Sequence, residues 1–277
     1  MSAPDAVVPD PASPVASVGI VPVQTADRGA PFGSAAFREL CGRPLLHWAV
    51  TALTASGVVR RVLVVVPPEL EGAAQRVLLE VAGAGGTELL AVPAEGHRQQ
   101  VLAALRGWHQ RAGHERADHD LVVVHDPLYA LSPPAVVRSV VGGLAGAAEV
   151  AAAVPARPVT DTLKWVDADG IVRATADRER HRLIVSPQAY RFSALLAAAL
   201  GTEDDAVRTQ GADGMPGRVA VRGGRLLLVA APREVFRIVA PDDLVLADAL
   251  LSLQATQVRG AAAMPAGAPR EAGRADT

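Results

Sequence analysis

The sequence predicts an α/β fold in which helices cover both faces of a doubly wound, mostly parallel sheet. The first observation is that short apolar runs, rich in β-branched residues or alanine, alternate with longer segments whose apolar residues have helical spacing. The second is that this strand–helix alternation repeats four times, which is typical of βαβ units. The third is size, because 277 residues, half of them hydrophobic, can bury one large core.

The predicted strands are short and mostly end at Pro or Asp, whereas the predicted helices end near Gly, a common C-terminal stop. Such a sheet is Rossmann-like, and ligands bind it at the carboxyl ends of the strands. The predicted strands are residues 17–23, 61–67, 88–93, 121–126 and 149–155. The predicted helices are residues 44–57, 70–83, 97–113 and 133–146.

The second half of the chain changes character. Residues 159–187 alternate polar and apolar side chains and contain an Asp169–Gly170 turn, so they predict a two-stranded arm that protrudes from the domain, within about 157–183. The stretches "VAVRGG" and "RLLLVAAP" favour a further hairpin. Residues 241–254 predict a last helix that begins with Pro and two carboxylates.

Composition separates the ends of the chain from its middle. Residues 1–16 and 257–277 consist largely of Pro, Ala, Gly and charged residues, which bury too little apolar area to offset the entropy lost on ordering. We therefore expect two disordered tails around a single domain at residues 17–256.

Charge and hydropathy exclude several classes of protein. A net charge of −2 gives no basic surface for nucleic acid. The chain has no long uncharged apolar run and no basic, apolar leader at its start, so we expect a cytoplasmic protein outside the membrane. The single cysteine, Cys41, excludes an intrachain disulfide and a cysteine metal cluster, and we expect it to pack in the core.

The run "LVVVHD" raises the functional question, because a strand without a polar face ends in the ionisable pair His125–Asp126. The carboxyl end of such a strand is where a ligand would bind. Asp126 precedes a proline, so it has a second interpretation as a cap of the following turn.

Six stretches in order resemble the 2-C-methyl-D-erythritol 4-phosphate cytidylyltransferases and the related enzymes that make CDP-ribitol. The resemblance covers roughly residues 18–254. It implies a nucleotide-diphospho-sugar transferase type of fold, transfer of CMP from CTP to a sugar-alcohol phosphate in the non-mevalonate isoprenoid pathway, and a homodimer formed through the arm. The stretches are "GRPLLHWAVTAL", "VVVHD", "DTLKWVDADGIVRATADR", "SPQAYRFSALLAAAL", "EDDAV" and "APDDLVLADALL".

The resemblance also assigns roles at the nucleotide. It implies that Asp126 holds Mg²⁺ against the CTP phosphates, and that Arg28 and Arg237 are the cations of the catalytic site. A third cation is missing, since the position of the family lysine is Ala35. The loop's early glycines are replaced by "QTAD", and Tyr129 stands where relatives have an arginine. Arg38 is the nearest candidate for a replacement.

These departures leave three hypotheses open. The first is a working cytidylyltransferase with an altered phosphate loop. The second is a catalytically impaired paralogue that binds nucleotide or regulates a partner. The third is a nucleotidyltransferase with another nucleotide or acceptor.

Residues that resemble the acceptor site lie in and after the arm. The resemblance assigns Asp161, Thr162 and Lys164 to the acceptor, and Arg178 to its phosphate. Alternatively, Asp161 and Lys164 form a cross-strand ion pair on a solvated arm, and Arg178 belongs to an ordinary charged surface run.

Two further groups complete the candidate site. His97 or Arg98, with Gln100, follows the third strand where relatives contact the cytosine and ribose, and a one-residue ambiguity leaves open which of the first two aligns. Asp204 and Asp205 resemble an acidic pair near the sugar, although a helix N-terminus favours the same residues.

Overall fold

The structure of the chain is a computed structural model. It describes residues 17–25, 34–81, 84–94, 96–112, 121–201 and 214–262. Residues 1–16 and 263–277 of the predicted tails lie outside these ranges, as do the candidate site residues Arg28, Asp204 and Asp205. Residues 257–262 are helical, so the last helix runs past the predicted start of the C-terminal tail.

The first half of the chain follows the predicted strand–helix alternation, and most element ends agree within a few residues. The elements are β1 (Ser17–Pro22), β2 (Glu39–Leu40), β3 (Arg43–Pro44), α1 (Leu45–Thr54), β4 (Arg61–Val66), α2 (Glu71–Leu79), β5 (Thr87–Ala91), α3 (Gly96–Ala112), β6 (Leu121–Val124) and α4 (Pro134–Ala145).

The second half contains the arm and the last helices. Its elements are β7 (Ala152–Pro158), β8 (Leu163–Val166), β9 (Val172–Ala176), β10 (Arg182–Ile184), β11 (Gln188–Arg191), α5 (Phe192–Leu200), α6 (Met215–Val221), β12 (Leu226–Ala230) and α7 (Pro241–Ala262). In the part of the chain described, no helix is both long and apolar enough to cross a membrane.

The main sheet has eight strands in the order β10-β7-β11-β6-β1-β4-β5, with β12 paired to β7. Its centre, β6-β1-β4-β5, is parallel. Strand β11 is antiparallel to both of its neighbours, and β12 runs parallel to β7. The doubly wound, mostly parallel α/β fold predicted from the sequence is therefore confirmed.

The predicted hairpin after the arm is wrong. Residues 219–221 belong to α6, because Met215 and Val219 are buried four residues apart on one face of that helix. The helix ends just before Gly223, whose φ of 81° is favourable only for glycine. The chain then returns as β12 in parallel with β7 rather than as one arm of a hairpin.

The central strands are buried on both faces. In β4, Val62, Val64 and Val66 pack in one cluster with α1, α2 and α4, while Leu63 and Val65 pack in a second cluster with α3, α5 and α6. A strand of this kind has no exposed face for polar groups. Functional side chains can therefore project only from the strand ends and the loops that follow.

The predicted arm is an antiparallel hairpin of β8 and β9. Its turn is fixed by the Asp167 carboxylate, which accepts hydrogen bonds from the backbone N–H groups of Asp169 and Ile171, and by Gly170 at φ 80°. Trp165 and Val172 are 63% and 56% exposed, so the hairpin presents apolar side chains to solvent.

The prediction that Cys41 packs in the core is wrong, because this residue is exposed. It lies in the tight turn between β2 and β3 at a φ of 51°. Its Sγ donates to Oδ1 of Asp248 on α7 at 3.0 Å. Partial burial first, and then this hydrogen bond, raise the pKa of the thiol to about 11, so the thiol is protonated at neutral pH.

Candidate active site

A cleft opens where the order of the parallel strands reverses. The chain builds β4 and β5 on one side of β1 and then places β6 on the other side, so the crevice lies at the carboxyl ends of β1 and β6. The cleft encloses about 240 Å³ of space outside the protein atoms, part of which is open solvent. It is lined by Pro22, Gln24, Ala36, His97, Asp126, Pro127 and Arg237.

Asp126 sits in this cleft immediately after β6. Its Oδ1 accepts a hydrogen bond from the Leu128 N–H at 2.9 Å, so the carboxylate does cap the following turn. Its own N–H donates to Ser186 Oγ at 2.9 Å. The cap uses one lone pair of one oxygen, and a carboxylate offers about four such positions. Turn capping and ligand binding are therefore compatible in the same side chain.

Arg237 is the cation of the cleft. Its Nε donates to Oδ2 of Asp126 at 3.1 Å, and the two side chains are 40% and 25% exposed, respectively. The segment that carries it is fixed beside the turn, because the Ile238 N–H donates to the Leu128 carbonyl at 2.8 Å. The sequence separates these residues by 111 positions, and the structure brings them into contact.

A buried polar group supports Asp126 from behind. Ser186 Oγ lies 2.9 Å from Nδ1 of His125, and the Ser186 carbonyl accepts from Ser132 Oγ at 2.5 Å. Burial lowers the pKa of His125 to about 4, with the Asp126 carboxylate opposing the shift, so the imidazole is neutral at pH 7. Ser186 thus fixes both members of the strand-end pair.

His97 and Arg98, the two candidates for one position in the site, lie in different places at the start of α3. His97 lines the cleft, whereas Arg98 Nη1 donates to the Ala199 carbonyl at the end of α5. Gln100 is buried and its Nε2 donates to the Val23 carbonyl at 2.6 Å, so it ties α3 to the end of β1. Burial lowers the pKa of His97, with Asp126 opposing and Arg237 reinforcing the effect. The nucleotide contacts of all three remain predictions.

The candidate acceptor residues of the arm are exposed and are not among those that line the cleft. Lys164 Nζ contacts Thr175 Oγ1 across the hairpin at 2.6 Å, and Arg178 Nη1 donates to the Thr160 carbonyl at 2.5 Å. Asp161 and Thr162 are exposed at the base of the arm. Their assignment to the acceptor stays a prediction.

Ala35 and Arg38 lie beside the cleft in a short turn. Ala35 is 2% exposed and packs in an apolar cluster with Leu40, Leu45 and Leu128, so this turn carries a methyl group where the resemblance expects a lysine. Arg38 Nη1 donates to the Val239 carbonyl at 2.8 Å. The Arg38 side chain therefore reaches the segment that precedes α7, and its role as a replacement cation stays a prediction.

Two residues of the site were missed in the sequence. Gln24 lines the cleft, and its position directly after an apolar strand was a usable signal. Ser186 contacts Asp126 from 60 residues away, and no local pattern reveals such a contact.

The residues of the cleft fit a magnesium ion that is coordinated mainly by phosphate oxygens and water. Among the described residues, no three His, Cys, Asp or Glu side chains come together as a metal site. Asp126 therefore offers a single carboxylate, and Mg²⁺ commonly takes one or two carboxylates together with phosphate oxygens and water. Asp126, Arg237 and neutral His97 sum to no net charge, so a triphosphate needs additional positive charge here.

Known proteins resemble this chain over most of its length. The family model described as 2-C-methyl-D-erythritol 4-phosphate cytidylyltransferase matches residues 23–253. A curated protein of that name from Nocardia farcinica is 36% identical over 245 residues, which cover 86% of this chain and 95% of the relative. The family of the chain is thus evident from its sequence alone.

Solved structures show the same fold. The Thermus thermophilus 2-C-methyl-D-erythritol 4-phosphate cytidylyltransferase is 28% identical, with a TM-score of 0.57, over 85% of this chain and 98% of that one. A 4-diphosphocytidyl-2C-methyl-D-erythritol synthase is 20% identical, with a TM-score of 0.69 over the same shares. The chain belongs to the 2-C-methyl-D-erythritol 4-phosphate cytidylyltransferase family.

Proposed function

We propose that this chain transfers CMP from CTP to 2-C-methyl-D-erythritol 4-phosphate and releases pyrophosphate, as a step of isoprenoid precursor synthesis. The observation that carries the proposal is the Asp126–Arg237 pair in the cleft at the carboxyl ends of β1 and β6. Membership of the family and the resemblance of the arm to the acceptor site support the choice of nucleotide and acceptor. CTP and the acceptor must both be present where the reaction takes place, so we also propose the cytoplasm as the location.

The chemistry places two anions against each other. A phosphate oxygen of the acceptor forms a new bond to the α-phosphorus of CTP, and the bond from that phosphorus to the pyrophosphate oxygen breaks. The negative charge that develops on the equatorial oxygens needs fixed cations. Arg237 is such a cation, because its contact with Asp126 and the Ile238–Leu128 hydrogen bond hold it in the cleft.

Magnesium is the proposed cofactor, and Asp126 is its proposed protein ligand. The ion would offset the phosphate charge that the neutral cleft does not. Asp126 has the lone pairs for this role, since its two observed hydrogen bonds use one position on each oxygen. Its backbone is fixed by Ser186, so the carboxylate is preorganised at the strand end.

We further propose that the protein is a homodimer in which the arm of one protomer packs on its partner. Large apolar side chains are exposed on the arm and at its base: Trp165, Val166, Ile171, Val172, Leu183 and Ile184. Clusters of exposed apolar residues mark interaction sites. An exchange of arms would also bring the exposed acceptor residues, Asp161, Thr162 and Lys164, to a partner's cleft.

Calorimetric titration with CTP tests the nucleotide half of this proposal. We expect CTP to bind in Mg²⁺ and to lose affinity in EDTA. Asp126→Asn should weaken binding in Mg²⁺ at least tenfold, about 1.4 kcal/mol, because the amide is a poor ligand for the ion. Arg225→Gln is the control, since Arg225 is exposed and pairs loosely with Glu149 at 3.9 Å. Equal CTP affinity with Mg²⁺ and with EDTA would rule out the metal role.

A further inference from the structure

Arg157 is a cation near the cleft to which neither the motifs nor the comparisons assign a role. It is the second-last residue of β7, just before the arm begins. Its Nη1 donates to the Arg233 carbonyl, whereas its Nε is buried without a hydrogen-bond partner among the described residues. A guanidinium has five N–H donors, and a buried donor without an acceptor is costly. The side chain is anchored at one nitrogen and retains donors for an anion.

The position of Arg157 follows from the segment 233–237. Arg157 is fixed to the start of this segment, and Arg237 at its end pairs with Asp126. Four residue steps span at most about 14 Å, so the backbone that holds Arg157 lies within that distance of the Arg237 backbone. Tyr129 lies within electrostatic range of both arginines. Burial and the Asp126 charge raise the pKa of its phenol, and the charges of Arg237 and Arg157 oppose this effect.

The sheet order indicates which anion Arg157 meets. The cleft residues Pro22 and Gln24 follow β1, which lies on one side of β6, whereas Arg157 projects from β7 on the other side, beyond β11. In an in-line transfer the acceptor's phosphate approaches the α-phosphorus from the side opposite to the leaving pyrophosphate. With the triphosphate on the β1 side, the acceptor's phosphate lies on the β7 side.

We propose that Arg157 binds the phosphate group of the acceptor and supplies the positive charge that the uncharged Tyr129 does not. The guanidinium presents its N–H donors to the phosphate while Nη1 remains on the Arg233 carbonyl, and Arg237 lies between this phosphate and the nucleotide. Arginine suits the task because its planar fork matches phosphate oxygens. This inference rests on the proposed function and adds Arg157 to the residues that the resemblance assigns to the acceptor.

Titration calorimetry with two ligands tests the role of Arg157. Arg157→Gln should weaken the affinity for 2-C-methyl-D-erythritol 4-phosphate at least tenfold, while the affinity for CTP with Mg²⁺ changes less than twofold. Arg157→Lys keeps the charge and should keep the acceptor affinity within about fivefold. This variant still provides a measurement if the glutamine variant unfolds. Arg225→Gln, an exposed arginine next to β12, should match the wild type for both ligands.

A rescue experiment distinguishes a lost charge from a distorted fold. Tyr129→Arg in the Arg157→Gln background places a cation beside the same anion. It should therefore recover at least half of the loss in acceptor affinity, measured on a logarithmic scale. The inference is overturned if Arg157→Gln leaves acceptor affinity unchanged, or weakens CTP and acceptor equally. A wild type that binds CTP but not this acceptor overturns the inference and leaves the nucleotide site standing. A wild type that binds neither ligand overturns the proposed function itself.

Discussion

Asp126 caps a turn and lines the candidate site with the same carboxylate. Its Oδ1 caps the turn at Leu128, its Oδ2 pairs with Arg237, and its N–H is fixed by Ser186. The sequence indicated the residue because a buried strand ended in charge, and the resemblance supplied Arg237. It gave no sign of Ser186 or of the Arg157–Arg233 contact, since both join distant segments through hydrogen bonds that leave no periodic pattern.

His125 makes folding stability depend on pH. Its folded pKa of about 4 lies below the usual value of 6.5, so the unfolded chain binds more protons between these values. Stability is therefore full above about pH 6.5, falls as pH drops, and levels off below about pH 4. A shift of this size corresponds to about 3 kcal/mol in total, and about 2 kcal/mol of it is lost between pH 7 and pH 5.

Urea unfolding at pH 7 and pH 5 measures this effect. His125→Asn removes the titrating group, so the variant, although less stable at pH 7, should lose about 2 kcal/mol less than the wild type on acidification. His47 also has a pKa lowered by burial, and it remains in both proteins, so the difference isolates His125. Identical losses in the two proteins would contradict the burial of a neutral imidazole.

At the scale of the element, strands and helices of the first half were predictable because their apolar patterns are strong. Residues 219–221 were misread as a strand because the helix that contains them has only seven residues, so its apolar spacing rests on the single pair Met215 and Val219. The exposure of Cys41 was misread because a single cysteine, outside any periodic apolar pattern, carries no information about burial. The arm was predictable from alternation and from its Asp169–Gly170 turn.

The arm predicts the oligomeric state. Trp165→Ser removes the largest exposed apolar side chain of the hairpin, so we expect it to convert a dimer into a folded monomer, measured by light scattering at micromolar concentration. Leu79→Ser is the matched control, because Leu79 is 82% exposed on α2, away from the arm. A wild-type protein that stays monomeric at high concentration would contradict the dimer proposal.

The turn that contains Ala35 predicts slow chemistry. A fixed cation at a phosphoryl group is typically worth about 10² or more in rate, and Ala35 supplies none. We expect Ala35→Lys to raise kcat at least tenfold, measured by pyrophosphate release. Ala35→Met has a side chain of similar length without the charge and should not raise it. Both variants crowd the apolar cluster around Leu45, which costs about 1–3 kcal/mol of stability, and the lysine variant should lose more because its ammonium group is partly desolvated there.

Equal rates for the lysine and methionine variants would show that the turn lies too far from the phosphates. A wild-type turnover within about tenfold of an ordinary enzyme's roughly 10 per second would contradict the expected impairment.

At the scale of the whole molecule, the sheet explains why the site is where it is. The parallel strands β6 and β1 are buried on both faces, so polar side chains gather at their carboxyl ends. The start of α3 contributes His97 there, and the segment before α7 contributes Arg237. The family and the sheet were predictable from the sequence. The separation of the cleft from the exposed arm residues was not, because it depends on how the arm leaves β7.

Phosphorus NMR of the complete reaction tests the central claim most directly. With the full chain, CTP, 2-C-methyl-D-erythritol 4-phosphate and Mg²⁺, we expect the phosphomonoester signal to fall as two coupled diphosphate signals and free pyrophosphate rise in equal amounts. The reaction should stop in EDTA and in the Asp126→Asn variant, and it should persist in Arg225→Gln. Loss of CTP without consumption of the phosphomonoester, or no reaction after prolonged incubation at high protein concentration, would contradict cytidylyl transfer in this cleft.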